Sequence, residues 1–241
     1  MLRNIFFYAT FLPATIVLSA MTLVFSWDKS GRLPHWVGYS WGRLTLLFSG
    51  VRVKSDLEAL KNVDNCIFFA NHQSMIDIPI IYDLVGGRRQ FGFVAKESLF
   101  KIPLFGHAML RAGHVPIDRG NPRKALKSID FAIEQVSRGT SIVLFPEGTR
   151  NTDWNGLKEF QIGGMIMALK CGIPVVPLVL FGTGPTLPKG AKMVRPRTVT
   201  VKALTPVETS KYSIKEREIF KKDMFEMMDS AYRELAEREA A

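Results

Sequence analysis

The stretch that most limits what this chain can become is Cys66–Asp77, CIFFANHQSMID. Cys66-Ile67-Phe68-Phe69-Ala70 is apolar without alternation, the pattern of a strand buried on both faces, which needs a covering layer on each side. The run stops at Asn71-His72. A polar pair at the end of a buried strand stands where α/β proteins place their ligand sites. His72 and Asp77 are five residues apart, and on one continuous helix they would point about 140° away from each other at roughly 100° per residue. They meet only if His72 lies on the turn and Asp77 in the first turn of the next helix. A carboxylate on one imidazole nitrogen then fixes the tautomer and leaves the other nitrogen to act as a base. The same residues also fit a plainer arrangement, with Asp77 as N-cap ahead of Ile78-Pro79 and His72 as a satisfied turn residue.

The rest of the chain alternates in the same manner. Strands are expected at 51–54, 66–70, 91–95, 115–117, 141–145, 174–181 and 198–204. Helices are expected at 74–85, at 99–111 with a break near Pro103, from Asn121-Pro122 to about Arg138, at 158–170 and from Ser213 to about Glu237. Asn121 reads as an N-cap with proline at N1, and Ser213 with Glu216 as a capping box. This alternation reads as an α/β fold with a mostly parallel sheet covered by helices. In the tail, Phe220, Met224, Met227, Met228, Ala231 and Leu235 recur at helical spacing, a stripe for core packing or, as the lesser alternative, for lipid.

Residues 1–50 differ from the rest and are read as membrane-anchoring helices ahead of a catalytic domain at 51–241. Ile5 to Trp27 holds no charged residue. As a helix, 23 residues at 1.5 Å each span about 35 Å, enough for a hydrocarbon core of about 30 Å. Three of the four tryptophans, Trp27, Trp36 and Trp41, fall within fifteen residues, the composition of a membrane–water boundary. Arg43 sits in the middle of the second apolar stretch, 33–51, and argues against a second full crossing. One spanning helix, a two-helix hairpin in one leaflet and a cleaved signal peptide compete here. The signal peptide ranks last, because no small-x-small cleavage site follows. If the first helix spans, Lys29, Arg32 and Arg43 after it against Arg3 before it put the main domain in the cytoplasm.

Charge is uneven. From Gly86 to Lys127 nine basic residues face only Glu97 and Asp118, a surplus of seven within a net charge of +10. Such a segment favours an anionic partner. Nucleic acid fits poorly, because the aromatic residues sit in apolar runs and are not interleaved with the charges. Cys66 and Cys171, far apart in apolar surroundings, read as reduced thiols. No third ligand is spaced to join His72 and Asp77 on a metal.

Phe145-Pro146-Glu147-Gly148-Thr149-Arg150 leaves the end of another buried strand. The arginine offers a planar fork of donors suited to phosphate, and a tight turn with a surface Arg–Glu pair is the plainer reading. Taken with Asn71-His72-x-x-x-x-Asp77, with Gly113-His114-Val115-Pro116-Ile117-Asp118-Arg119 and with Ile173-Pro174-Val175-Val176-Pro177-Leu178, it resembles the glycerolipid acyltransferase family, within it most closely the lysophosphatidate acyltransferases. Four blocks agree in order and spacing between about Phe68 and Thr205.

The resemblance implies acyl transfer from acyl-CoA or an acyl carrier protein to the sn-2 hydroxyl of 1-acyl-glycerol-3-phosphate, giving phosphatidic acid, with membrane lipids as surroundings and no cofactor. It implies His72 as base and Asp77 as its orienting acid. It implies Arg150, Lys96 and Arg119 around the acceptor phosphate, with Glu147, Gly148 and Thr149 shaping the pocket. Ser98 interrupts the usual pattern after Lys96. Glycerol-3-phosphate or a lyso-aminolipid are alternative acceptors, and a non-enzymatic peripheral membrane protein is the reading from another class.

Overall fold

The computed structural model describes residues 2–118, 120 and 122–240, with the side chains of 2, 3, 122–124 and 240 left aside. Arg119 and the expected N-cap Asn121 lie outside the described residues. In chain order come α1 (Leu2–Val24), α2 (Arg32–Ser49), β1 (Arg52–Asp56), β2 (Ile67–Ala70) and α3 (Asp77–Val85). Then follow β3 (Phe91–Lys96), α4 (Phe105–Arg111), β4 (Val115–Ile117), α5 (Pro122–Ser137) and β5 (Ser141–Leu144). The chain continues with α6 (Ile162–Cys171), β6 (Val175–Phe181), α7 (Thr183–Thr186), β7 (Thr198–Ala203) and α8 (Arg217–Ala240). It is an α/β fold whose strands pair mostly in parallel. It divides into two compact units, Met1–Gly50 with Ile78–Ile142, and Val51–Asp77 with Val143–Ala241.

In the first unit α1 and α2 form a hairpin. Trp41 Nε1 donates to Thr15 Oγ1 at 3.0 Å across it, and Phe6 meets Phe48 edge to face. The connection is tied by Asp28, whose Oδ2 accepts the N–H of Leu33 at 2.8 Å. Against Tyr82 of α3, α2 comes so close that a Cβ on Gly42 would stand 2.5 Å from the tyrosine Cβ, a contact only glycine permits. Arg43 reaches Asp83 at 3.4 Å. The segment Asn4–Trp27 is long and apolar enough to cross a membrane, and Ile5, Phe6, Leu12, Ile16 and Val17 along it are exposed. A row of large apolar side chains facing outward is unlike an ordinary soluble surface. In this unit β3 also pairs in parallel with β4. The expected helix at 99–111 is broken where expected: Phe105 N–H closes back on the carbonyl of Pro103 at 2.7 Å, with Leu104 at φ 63°.

In the second unit the strands lie in the order β1-β7-β6-β2. β1 runs parallel to β7, β7 antiparallel to β6, and β6 parallel to β2. All four residues of β2 are fully buried, as a continuous apolar run requires. α8 covers this sheet with Phe220, Met224 and Met228 at 0% exposure. The methionine stripe is therefore core packing, with only Met227 of it exposed. The Ser213–Glu216 capping box is present, Glu216 accepting the N–H of Ser213 at 2.8 Å.

Two expected helices start late. The one expected at 74–85 begins at Asp77, because the N–H groups of Gln73 and Ser74 belong to the turn that closes on the Asp77 carboxylate. The helix expected at 158–170 begins only at Ile162. Residues before it are held extended: the N–H of Leu157 is bound by Asp229 at 3.0 Å, that of Gln161 by the Pro146 carbonyl at 2.7 Å, and Phe160 is buried. Three tertiary attachments outweigh local helix preference here.

Candidate active site

The site is built in the second unit at the carboxyl end of β2. The strand is prolonged past Ala70 by a side chain. Asn71 donates Nδ2–H to the Leu180 carbonyl at 2.9 Å and accepts the Leu180 N–H on Oδ1 at 2.7 Å. It thus imitates one more residue of ladder against β6 while its own backbone is released into the turn. An amide can do this because it carries one donor and one acceptor in the peptide arrangement.

The turn brings His72 Nδ1 to 2.7 Å from Asp77 Oδ2, with Asp77 opening α3. Asp77 is fully buried. The same Oδ2 accepts the backbone N–H groups of Gln73 and Ser74, each at 2.9 Å. Asp77 is thus not the N-cap of Ile78-Pro79: it lies inside α3, and its carboxylate reaches back to close the turn while it grips the ring. Because the carboxylate accepts, Nδ1 carries the hydrogen and Nε2 presents its lone pair. Nε2 has no partner among the described residues, and the side chain is 14% exposed. Phe145 stacks on the ring at 4.0 Å and 18°, so the imidazole is held by a face as well as an edge.

The second motif closes against the first. Phe145-Pro146-Glu147-Gly148 is a tight turn, the Gly148 N–H reaching the Phe145 carbonyl at 3.0 Å, with proline at the position whose φ it presets. Gly148 has φ 72°, which explains the glycine by backbone geometry. The turn drives Glu147 inward to 1% exposure, where Oε1 accepts the His72 N–H at 2.8 Å. From the other side the Asn151 N–H donates to the His72 carbonyl at 2.6 Å. His72 is thus gripped at N–H, C=O, ring edge and ring face.

Backbone donors near the Asn71–Ser74 turn are where an oxyanion would find its hydrogen bonds. Of these, the N–H groups of His72, Gln73 and Ser74 are already committed to the carboxyl groups of Glu147 and Asp77.

Burial pushes the Glu147 carboxyl up to about 8, and the nearby charge of Asp77 adds to it, against the His72 and Lys158 N–H groups that favour the charged form. Oε2 has no partner among the described residues. The folded chain keeps this proton over a range in which the unfolded chain, with a carboxyl near 4.5, has released it. The stability it contributes is therefore present below 4.5 and lost as pH rises through about 8. Denaturation followed across that window should show stability falling with pH. Glu147→Gln should flatten the fall, and an undiminished slope in the variant would assign it to other groups.

The remaining expected residues fall as follows. Arg150 is half-buried, has no ion-pair partner among the described residues, and directly precedes Asn151. Thr149 is exposed, and nothing ties its side chain to His72. Lys96 ends β3 in the first unit, exposed. Arg119 lies outside the described residues. Among the described residues no group of three His, Cys, Asp or Glu could hold a metal ion.

Several contributors have no local sequence signal. Gln73 Nε2 donates to Tyr232 of α8 at 2.6 Å, and Tyr232 passes the hydrogen bond to the Trp154 carbonyl at 2.8 Å. Ser74 Oγ donates to the Leu187 carbonyl at 2.8 Å and so fastens the turn to that segment.

Fold and site define an α/β domain that holds a carboxylate-steered imidazole at the mouth of a buried strand. Residues 51–180 match the family described as Acyltransferase. A 1-acyl-sn-glycerol-3-phosphate acyltransferase of Salmonella typhimurium is 32% identical over 209 residues, 83% of each chain. A chloroplastic protein of the same name from Brassica napus is 33% identical over 182 residues, 73% of this chain and 51% of its own. One from Chlamydomonas reinhardtii is 36% identical over 217 residues, 85% of this chain and 64% of its own. The chain thus spans between half and two thirds of the length of these two algal and plant relatives. The crystal structure of the 1-acyl-sn-glycerophosphate (LPA) acyltransferase PlsC from Thermotoga maritima superposes with a TM-score of 0.81 at 27% identity, covering 98% of this chain and 95% of that one. The chain belongs to the acyltransferase family.

Proposed function

We propose that this chain transfers a fatty acyl group from a thioester, acyl-CoA or acyl carrier protein, to the sn-2 hydroxyl of 1-acyl-glycerol-3-phosphate, making phosphatidic acid for phospholipid biosynthesis. The observation that carries the proposal is the His72–Asp77 pair at 2.7 Å, with Nε2 free of partners among the described residues. The names of the relatives supply the substrate.

Nε2 takes the proton of the acceptor hydroxyl as its oxygen attacks the thioester carbon. Asp77 stabilises the imidazolium that forms. When the tetrahedral intermediate collapses, the carbon–sulfur bond breaks and the leaving thiolate takes the proton back from Nε2. The chemistry needs no covalent enzyme intermediate. With the turn N–H groups committed, stabilisation of the oxyanion falls to donors outside 72–74.

Arg150 is assigned the acceptor phosphate, a group of close to two negative charges. Lys96 and Arg119 enter this reading through the family resemblance alone. The exposed apolar row on α1 and the tryptophans near it support lodging residues 1–50 in a membrane; the cytoplasmic side for the catalytic residues is supported by Lys29, Arg32 and Arg43 after the apolar run Ile5 to Trp27 against Arg3 before it.

The experiment is thiol release by purified protein, with lysophosphatidate compared against glycerol-3-phosphate and a lyso-aminolipid. Lysophosphatidate should be preferred, and preference for another acceptor would replace the substrate named here. Arg150→Ala should raise KM for lysophosphatidate by about tenfold to a hundredfold, the value of one charge-assisted contact of about 1.5–3 kcal/mol. An equal loss on a phosphate-free acceptor would remove Arg150 from the phosphate.

A further inference from the structure

Between Glu159 and Glu208 the chain has no acidic residue and six basic ones. Four of these, Lys189, Lys192, Arg195 and Arg197, fall within nine residues and are all exposed. The loop carrying them is built, not slack. The Arg195 N–H closes it on the Thr186 carbonyl at 2.8 Å, the Ala191 N–H makes a turn onto Pro188 at 2.9 Å, and Val194 plugs it at 2% exposure. Ends that meet over a buried plug are the form of a compact functional loop. None of the four cations is in an ion pair among the described residues. An ordered surface that gathers like charges without counter-charges is arranged for an anion from outside.

The loop is fastened to the catalytic turn. The carbonyl that receives Ser74 Oγ at 2.8 Å belongs to Leu187, two residues before Lys189, while Ser74 is two residues after His72. Since consecutive Cα atoms lie about 3.8 Å apart, the Lys189 Cα stands within about 8 Å of that of Leu187.

Resting on the acyl-transfer reading above, we infer that loop 187–197 docks the phosphate groups of the thioester acyl donor. Two phosphates must be held in this reaction, at different distances from the reacting atoms. The acceptor phosphate is one carbon removed from the carbon that bears the attacked hydroxyl, so its cation belongs near His72, and Arg150 directly precedes Asn151, whose N–H holds the His72 carbonyl. The donor phosphates stand at the far end of a pantetheine arm. Their cations belong further out, on a segment still positioned by the catalytic turn. Coenzyme A and the prosthetic group of an acyl carrier protein share this phosphate at the end of the arm.

The test removes all four charges, Lys189→Ala, Lys192→Ala, Arg195→Ala and Arg197→Ala together, with Lys189→Glu/Lys192→Glu as a second variant should the first fold poorly. KM is measured in detergent micelles for acyl-CoA, acyl carrier protein and S-acyl-pantetheine, which lacks the phosphates. Binding of coenzyme A alone is followed by calorimetry, and sedimentation with phosphatidylglycerol vesicles is measured in parallel.

The expected result is a rise in donor KM of about tenfold or more, the scale on which focused charge acts. The ratio of variant to wild type should fall to near one with S-acyl-pantetheine. Whichever of acyl-CoA and acyl carrier protein responds is the source of the phosphate. An unchanged donor KM, an equal rise with S-acyl-pantetheine, a rise confined to the lysophosphatidate KM, or a loss of vesicle binding alone would each overturn the inference. Should the wild type transfer no acyl group, the acyl-transfer reading falls, and the calorimetry still decides whether the loop holds a phosphopantetheine anion.

Discussion

His72→Ala is expected to lower kcat by about 10²–10⁴, the contribution of a positioned general base. The expectation rests on how little freedom the ring has. Nδ1 is bound by Asp77 at 2.7 Å, the face lies on Phe145 at 4.0 Å, and the backbone is gripped by Glu147 and Asn151. Only Nε2 is left to act. Those backbone bonds do not involve the ring, so the alanine variant keeps the turn, and the loss can be read as chemistry and not as unfolding. KM for lysophosphatidate should move little, because the interaction removed is made in the transition state. Thiol release at saturating donor and acceptor measures the effect, and a melting curve checks the fold. A variant that turns over within about tenfold of the wild type, a barrier change of only about 1.4 kcal/mol, would leave the base unidentified.

The pairing behind that expectation is legible in the sequence because it is a constraint of short range. Five residues, a strand that must stop and a helix that must start leave one geometry in which a histidine and an aspartate touch. The paired run Ile67–Ala70 is legible for a similar reason: a strand apolar on both faces has nowhere to go except the middle of a sheet. What closes the site is not of this kind. Asn71 with Leu180 is a contact across 109 residues, Ser74 with Leu187 across 113, and Gln73 with Tyr232 across 159. Each is a polar atom satisfied by a distant backbone or hydroxyl, and no local spacing encodes it.

Which N–H groups could serve an oxyanion is hidden from the sequence on the same ground. A turn at a strand end does offer N–H groups, but whether they remain free depends on where Glu147 folds back from another part of the chain. Helix α6 starts late because Asp229 and Pro146 hold the segment before it, neither of them visible from the helical pattern itself. For Glu147 the pattern of the motif places a carboxylate near the site. Only the coordinates show it turned inward on the His72 N–H, with burial raising its carboxyl to about 8.

Asp77 has two duties, and two substitutions should separate them. Asp77→Asn is expected to lower kcat by about 10⁴, the scale seen when a triad carboxylate becomes an amide. It keeps an oxygen where Oδ2 accepts the N–H groups of Gln73 and Ser74 at 2.9 Å, so the turn survives. Its amide nitrogen takes the place of Oδ1, a buried atom with no partner among the described residues, at a cost of roughly 1–3 kcal/mol for the orphaned donor. Asp77→Ala should lose at least as much activity and more stability, because two backbone N–H groups are orphaned at roughly 1–3 kcal/mol each. Rates and chemical denaturation of the two variants therefore diverge: similar kcat, different midpoints. If Asp77→Asn instead retains most of its turnover while Asp77→Ala unfolds, the carboxylate is a cap for the turn and the imidazolium is stabilised from elsewhere.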